Sequence, residues 1–362
     1  MKILFLRFTM SKFHKLKIAD VRRETMDCVS VAFDVPASLK KDYAFIQGQY
    51  LTLKLFVNGE EIRRSYSICS SPLENELRVA VKRVQGGKGS NYINDNMKIG
   101  AELEVMIPMG GFHSPMNAAH RKNYVLFAGG SGITPMLSIL KTVLQAEPNS
   151  VLTLFYGNLN EESTIFKKQL DELSYKFTSR FSLFYVFDKP VSQTDELYKG
   201  IITKDKVKKL LDKHVSLAGD NEFFVCGPGP MMDNVRETLE EKKIEKSKIH
   251  IEYFVAAAPV VSKDSVLEKI TSQVTVSMYG METSFSLEST GKAILDAALD
   301  AGVDVPFACK GAVCATCRGK IIEGKVHMDK NFALTEAEVA EGFILTCQSH
   351  PITPVVKVDY DI

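Results

Sequence analysis

Residues 14 to 115 alternate apolar and polar positions in short runs: HKLKIADVRRE, CVSVAFDV, QYLTLKLFV, RRSYSICS, ELRVAVKRV and AELEVMI. A period of two, carried by β-branched and aromatic residues, puts successive side chains on opposite faces of a strand. Runs of this kind in close succession, separated by turns, predict an antiparallel β-barrel. The texture changes at Asn123. YVLFAGG, VLTLFYGN, FSLFYVF and EFFVCGPG are nearly continuous apolar runs, and PMLSILKTVLQAE, TIFKKQLDEL and KDKVKKLLDKH between them have a helical spacing. Buried strands alternating with amphipathic helices predict a parallel sheet with crossover helices.

After Ile251-Glu252-Tyr253-Phe254, the stretch VAAAPVVSKDSVLEK mixes small and polar residues and reads as a linker. From about residue 270, QVTVSMYG and METSFSLE predict two strands and GKAILDAALDAG a helix. A long cysteine-bearing loop, a short helix at TEAEVAEG and a last strand at PVVKVDY follow. The expected architecture is therefore multidomain: an antiparallel barrel over 10–117, an α/β domain over 118–256, a linker over 257–269 and an α+β domain over 270–362.

Length agrees, since 362 residues exceed one ordinary core. Lys+Arg 45 against Asp+Glu 44 leaves a net charge of +1, which points to neither a nucleic-acid partner nor an acidic membrane surface. No apolar run approaches the ~20 residues of a membrane span. The opening MKILFLRFTM is broken by Arg7 and lacks the form of a secretory signal, so residues 1–9 are expected to lie outside the fold and the protein in the cytoplasm.

Seven cysteines are present, four of them between Cys309 and Cys347. Cys309-x4-Cys314-x2-Cys317 with a distant Cys347 supplies four thiolates, two for each iron of a [2Fe–2S] cluster. The loop ACKGAVCATCRG is small enough at Gly311, Ala312, Ala315 and Gly319 for its backbone to approach such a cluster. The competing reading is structural zinc on the same thiolates, although zinc ribbons usually carry two CxxC knuckles and this chain has one. The region from about 270 onward resembles plant-type ferredoxins throughout, and that resemblance implies a β-grasp fold.

Arg64-Ser65-Tyr66-Ser67 closes a predicted strand and opens Ile68-Cys69-Ser70-Ser71-Pro72. An aromatic ring can stack on an isoalloxazine, an arginine can neutralise a pyrophosphate, and a hydroxyl can bond the flavin edge. Gly86-Gly87-Lys88-Gly89-Ser90-Asn91 then leads into a helix, a phosphate-binding combination. With Pro108-Met109-Gly110-Gly111-Phe112, these segments resemble the flavin domain of the ferredoxin–NADP reductase family. The resemblance implies that Arg64 and Ser90 hold the pyrophosphate, Tyr66 stacks on the flavin and Ser67 lies near its N5. Ile68, Lys82 and Gly89 are placed on the same side. The family uses FAD or, in its phthalate dioxygenase reductase branch, FMN; FAD is the expectation here.

Gly129-Gly130-Ser131-Gly132-Ile133-Thr134-Pro135 follows a predicted strand and precedes a helix, so its amides can face a pyrophosphate. Its spacing departs from G-x-G-x-x-G and matches the reductase family's own turn. Gly130, Gly132, Thr134 and Pro135 are the residues assigned to the dinucleotide there. Cys226-Gly227-Pro228 resembles the family's C-G-P element, which implies that Cys226 sits near the nicotinamide C4. The alternative for Cys226 is a small core residue at a strand end. His250-Ile251-Glu252-Tyr253-Phe254 resembles the family's closing segment, which puts Phe254 against the flavin and Glu252 nearby; plain core or interdomain packing is the other reading of Phe254. Ser67, Cys226 and Glu252 are thus the candidates beside the reacting atoms. NADH and NADPH stay undecided: Tyr156-Gly157-Asn158-Leu159 lacks the arginine of relatives that read YGNR, while Asp188-Lys189 offers one acid and one base and Lys82 is a second candidate for a phosphate.

A hydride carries two electrons and a [2Fe–2S] cluster accepts one; a flavin between them reconciles the two. Order and spacing from about residue 14 onward resemble the reductase-subunit family of phenylacetyl-CoA epoxidases. That implies an NAD(P)H-oxidising electron-transfer enzyme with a separate diiron oxygenase as acceptor. Ring-hydroxylating oxygenases, desaturases or a hybrid-cluster protein are the other acceptors of this layout, and a non-enzymatic redox-sensing module is the alternative of another class.

Overall fold

The computed structural model describes residues 13–193, 195–254 and 268–361. Residues 1–9 lie outside these, as does the expected linker at 257–269 but for its last two residues. Two compact units emerge, one of residues 14–254 and one holding the carboxyl-terminal domain.

The alternating runs form β1 (Phe13–Thr25), β2 (Cys28–Asp34), β3 (Tyr50–Val57), β4 (Glu60–Ser67), β5 (Leu77–Lys82) and β6 (Glu102–Met106). They pair in the order β4-β3-β6-β1-β2-β5. The outer strands β4 and β5 meet only where chain beyond β4 bridges back, at Ile68–Val79, with Cys69 N–H donating to the Arg78 carbonyl at 2.8 Å. The expected barrel is thus a curled antiparallel sheet, a half-barrel. Its inward residues, among them Leu16, Ile18, Val31, Leu53, Val79 and Val105, are fully buried and form one core. Helix α1 (Lys88–Asn96) starts at the Gly87 cap.

The second domain has β7 (Asn123–Gly129), β8 (Val151–Asn158), β9 (Phe181–Phe187), β10 (Asn221–Cys226) and β11 (Ile249–Glu252). All are parallel, in the order β11-β10-β7-β8-β9. Helices α2 (Ile133–Ala146), α3 (Lys167–Lys176), α4 (Lys204–His214) and α5 (Gly229–Glu241) connect them. Near-continuous apolar sequence suits strands covered on both faces, and Val125, Phe127, Phe155, Phe223 and Val225 are fully buried. Two helices differ from the sequence pattern. α3 begins later than TIFKKQLDEL suggests, because Phe166 takes a left-handed turn (φ 59°) just before it. α5 has no counterpart in the pattern, since CGPGP reads as loop; yet proline is tolerated in a first helical turn, where its missing N–H has no partner to lose.

The carboxyl-terminal domain comprises β12 (Thr271–Met278), β13 (Met281–Glu288), α6 (Ile294–Asp300), β14 (Arg318–Glu323), β15 (Val326–Met328), α7 (Glu336–Ala340), β16 (Phe343–Leu345), β17 (Ser349–Pro351) and β18 (Val355–Asp359). The main sheet runs β13-β12-β18-β14-β16, with β12 and β18 parallel at its centre. Helix α6 lays Ile294, Leu295 and Ala298 on Val274, Val276, Val356 and Val358. The expected long loop is shorter than the sequence implied, because Arg318–Glu323 pairs as β14 directly after the last loop cysteine.

Candidate functional site

In the parallel sheet, strand order reverses between β7 and β10, and such switch points bind ligands beyond the strands' carboxyl ends. The glycine turn after β7 and Cys226-Gly227-Pro228 after β10 lie side by side there. A Cβ on Gly132 would overlap the Cys226 carbonyl, and one on Gly227 would come 2.9 Å from the Gly129 nitrogen. These two glycines are therefore required by backbone-to-backbone packing at the floor of the site. Gly130 is different: its φ is +52°, and the nearest atom to an added Cβ is Lys82 Nζ at 4.0 Å. It faces open space. Thr134, buried in the first turn of α2, donates its hydroxyl to the Ser131 carbonyl at 3.0 Å and holds the turn, and Pro135 follows it into the same buried turn.

A cleft of about 450 Å³ opens from this floor, lined by Gly129, Gly130, Asn158, Leu159, Asp188, Pro228 and Met231. Lys82, expected on the flavin side or at a dinucleotide phosphate, lines this cleft; its ammonium lies 3.5 Å from Asp27. A larger cleft of about 880 Å³ elsewhere, between β1 and α3, is walled by opposed charges such as Arg22, Lys141, Glu24 and Glu161 and holds none of the expected site residues.

Ser67, Cys226 and Glu252 are brought together. Parallel pairing sets Cys226 beside Glu252 at the ends of β10 and β11. Ser67, at the end of β4, donates its hydroxyl to Glu252 Oε2 at 2.9 Å across 185 positions of sequence. Burial pushes the Glu252 carboxyl up to about 8, although the Ser67 bond pulls it partly back. At neutral pH that carboxyl is protonated and has a hydrogen to donate. Burial, with Glu252 beside it, also holds the Cys226 thiol well above its ordinary range, so Cys226 is neutral and fully enclosed.

Along β4, Tyr66 is half-buried, and burial raises its phenol. Arg64 is exposed; its Nη1 donates to the Arg63 carbonyl at 2.8 Å, and no carboxylate pairs with it among the described residues. Gly89, at the start of α1, lets the helix close on Arg64, whose Cγ would lie 3.3 Å from an added Cβ. Ser90 is buried, and its hydroxyl accepts from Val84 N–H at 3.1 Å, leaving its own proton to donate. Ile68 is a core residue whose N–H donates to the Gln49 carbonyl. Phe254 is 39% exposed, an aromatic face on the surface two residues past Glu252.

In the carboxyl-terminal domain, Cys314, Cys317 and Cys347 are buried and Cys309 is half-exposed. Lys310, Ala312 and Ala315 all take left-handed backbone, at φ 50°, 66° and 50°. Each costs a non-glycine residue about 1–2 kcal/mol, and together they turn the loop's amides inward. Gly311 N–H donates to Cys309 Sγ at 3.3 Å. The thiols fall into two hydrogen-bonded pairs. Cys314 bonds Cys309 and lowers it, Cys317 bonds Cys347 and lowers it, and the donors are raised in turn.

Three family models match the chain: an oxidoreductase FAD-binding domain over residues 15–114, an oxidoreductase NAD-binding domain over 126–237 and a 2Fe-2S iron-sulfur cluster binding domain over 278–351. The chain is 41% identical over 352 residues to a subunit of the 1,2-phenylacetyl-CoA epoxidase of Escherichia coli, covering 97% of this chain and 99% of that one. It belongs to the family of FAD- and [2Fe–2S]-containing reductase components of oxygenases. The ferredoxin reductase component of 3-ketosteroid-9-alpha-monooxygenase from Rhodococcus rhodochrous is 33% identical over 356 residues, covering 95% and 96%. The solved phthalate dioxygenase reductase, 26% identical, superposes with a TM-score of 0.57 over 96% of this chain and 98% of its own.

The residues present fit the three groups of this family. An unpaired arginine, a helix start and a half-buried tyrosine suit a flavin dinucleotide; a glycine floor that any Cβ would fill suits a nicotinamide dinucleotide; four thiols ringed by inward amides suit a cluster. What flavin and cluster supply when bound is the exchange of an electron pair for single electrons and a one-electron carrier. The chain's own work is binding and orientation. With the flavin dinucleotide bound, Arg64 would face its phosphate and Tyr66 would offer a stacking face; the Gly132–Cys226 contact sets the depth of the floor. The Ser67–Glu252 hydrogen bond holds a protonated carboxyl beside the end of β4.

Proposed function

We propose that this reductase takes its electrons from a nicotinamide dinucleotide bound at the β7–β10 switch point and delivers them to a phenylacetyl-CoA epoxidase-like diiron oxygenase of phenylacetate breakdown. Ser67, Cys226 and Glu252 stand at the reacting atoms in this reading, and Cys309, Cys314, Cys317 and Cys347 ligate the iron. The observation that carries the site is the 2.9 Å Ser67–Glu252 bond, which joins the flavin and nicotinamide domains beside Cys226. The full-length likeness to the epoxidase component supports the acceptor.

Among the described residues no helix is long and apolar enough to cross a membrane. An acyl-CoA oxygenase as partner supports a cytoplasmic site of action. The acceptor is tested by mixing the purified chain with purified oxygenase components and following product formation. Epoxidation of phenylacetyl-CoA at a rate matching NAD(P)H consumption is expected. Consumption without product, beside coupled turnover with a ring-hydroxylating or steroid-hydroxylating oxygenase, overturns the assignment.

A further inference from the structure

The cysteine cage has two walls, the loop from Cys309 to Cys317 and the turn at Cys347; the Thr346 hydroxyl joins them at the Cys317 carbonyl (2.9 Å), and the Gln348 amide spans them beside the sulfurs. Gln348 Nε2 lies 3.2 Å from the Lys310 carbonyl oxygen, 2.8 Å from the Cys347 carbonyl oxygen and 3.7 Å from Cys347 Sγ. A side-chain amide has two N–H bonds for these three acceptors, so at least one is shared. The residue is pinned at its other end, where its own carbonyl accepts from Asp329 N–H at 2.9 Å. Its neighbours Cys347 and Ser349 are buried, and it is itself half-buried. The carbonyl it engages across the cage belongs to Lys310, one of the left-handed residues of the loop.

Negative charge on the ligand sulfurs of an iron–sulfur cluster grows when the cluster gains an electron. A donor aimed at one of those sulfurs therefore stabilises the reduced form, and hydrogen bonding to sulfur is one of the determinants of cluster potential. An amide is suited to this because it stays neutral: one electron arrives, no bond forms or breaks, and both protons remain on nitrogen. The backbone amide of Ala312, on the loop wall, also points at Cys347, so this sulfur is approached from both walls.

We propose that Gln348 is a positioning residue for electron transfer: its amide donates to the Cys347 thiolate, ties the two walls together and raises the reduction potential of the cluster. The proposal rests on Cys347 being a cluster ligand.

Full-length holoprotein with Gln348→Leu or Gln348→Glu is compared with the parent by EPR-monitored redox titration, with iron and acid-labile sulfide measured on the same samples. Leucine removes the donor at similar bulk. At any fixed potential the ratio of reduced to oxidised cluster is expected to fall about tenfold, which for one electron is a midpoint about 59 mV lower. Glutamate puts an acceptor in the same place and lowers the midpoint further, while the flavin midpoint stays where it was. A merely structural role would change stability and leave the cluster midpoint unmoved, and unmoved midpoints in both variants overturn the proposal. If the variants hold no cluster, the parent decides: with glutamine labelled at its side-chain nitrogen, pulsed EPR of the reduced cluster is expected to show coupling to that nitrogen. Absence of coupling overturns the proposal, whereas a parent without iron and sulfide overturns the ligand reading instead.

Discussion

Glu252→Gln removes one titrating proton from the junction of the flavin and nicotinamide domains and leaves the shape almost unchanged. The Glu252 carboxyl, pushed to about 8 by burial, is protonated in about ten molecules of every eleven at pH 7. The unfolded chain loses that proton near 4.5. Between these values the folded protein keeps a proton that the unfolded chain has released, so stability falls as pH rises through the window and levels off above 8. Each pH unit there is worth about 1.36 kcal/mol, or about 2.7 kcal/mol from pH 6 to 8. Partial solvent contact at Glu252 trims this to about 2 kcal/mol. Glutamine pays none of it. Thermal melts of flavin-depleted protein should therefore show the variant gaining on the parent by about 4–8 °C between pH 6 and 9. In the holoprotein, stopped-flow reduction by NAD(P)H should change with an apparent pKa near 8 in the parent and lose that dependence in the variant. Parallel pH profiles in the two proteins, or a parent transition near 4.5, refute the protonated-carboxyl reading.

Three further outcomes are expected. Cys314→Ser should abolish cytochrome c reduction and spare most ferricyanide reduction, which draws on the flavin directly; equal loss of both would show that the cluster is needed for the fold of the whole chain. Gly132→Ala forces a methyl into the Cys226 carbonyl and should cost about 2–3 kcal/mol, read as a lower Tm together with a raised KM for the dinucleotide; an unchanged KM refutes the shared floor. Asp188→Ala removes the one acid lining the dinucleotide cleft and should raise kcat/KM for NADPH relative to NADH severalfold. An unchanged ratio places the adenosine ribose elsewhere.

Much of the fold is legible along the chain, because strand periodicity and the cysteine spacing are local signals. The segments VLTLFYGN, FSLFYVF and KDKVKKLLDKH match their elements residue for residue. What escapes is set by tertiary pairing. Helix α5 hides behind CGPGP, and its apolar positions Met231, Met232, Val235 and Leu239 gain meaning only once β10 is known to end at Cys226. Closure of the half-barrel at a single bridge depends on where β4 and β5 end up, which alternation does not encode. Of the two placements open to Lys82, the dinucleotide cleft is the one it lines, because β5 is an edge strand whose end meets the glycine turn. Ser67 and Glu252 are each marked by family resemblance, and their hydrogen bond across 185 positions requires the fold. Gln348 carries no signal in the sequence beyond its place next to Cys347.

The relay as a whole is tested most directly by anaerobic titration of reconstituted full-length protein with NADH or NADPH, followed by visible absorbance and EPR on the same sample. Bleaching of the flavin band should be accompanied by a reduced-cluster signal approaching one spin per chain, with iron and acid-labile sulfide in equal amounts. A flavin band that survives the titration, or zinc in place of iron and sulfide, would contradict it.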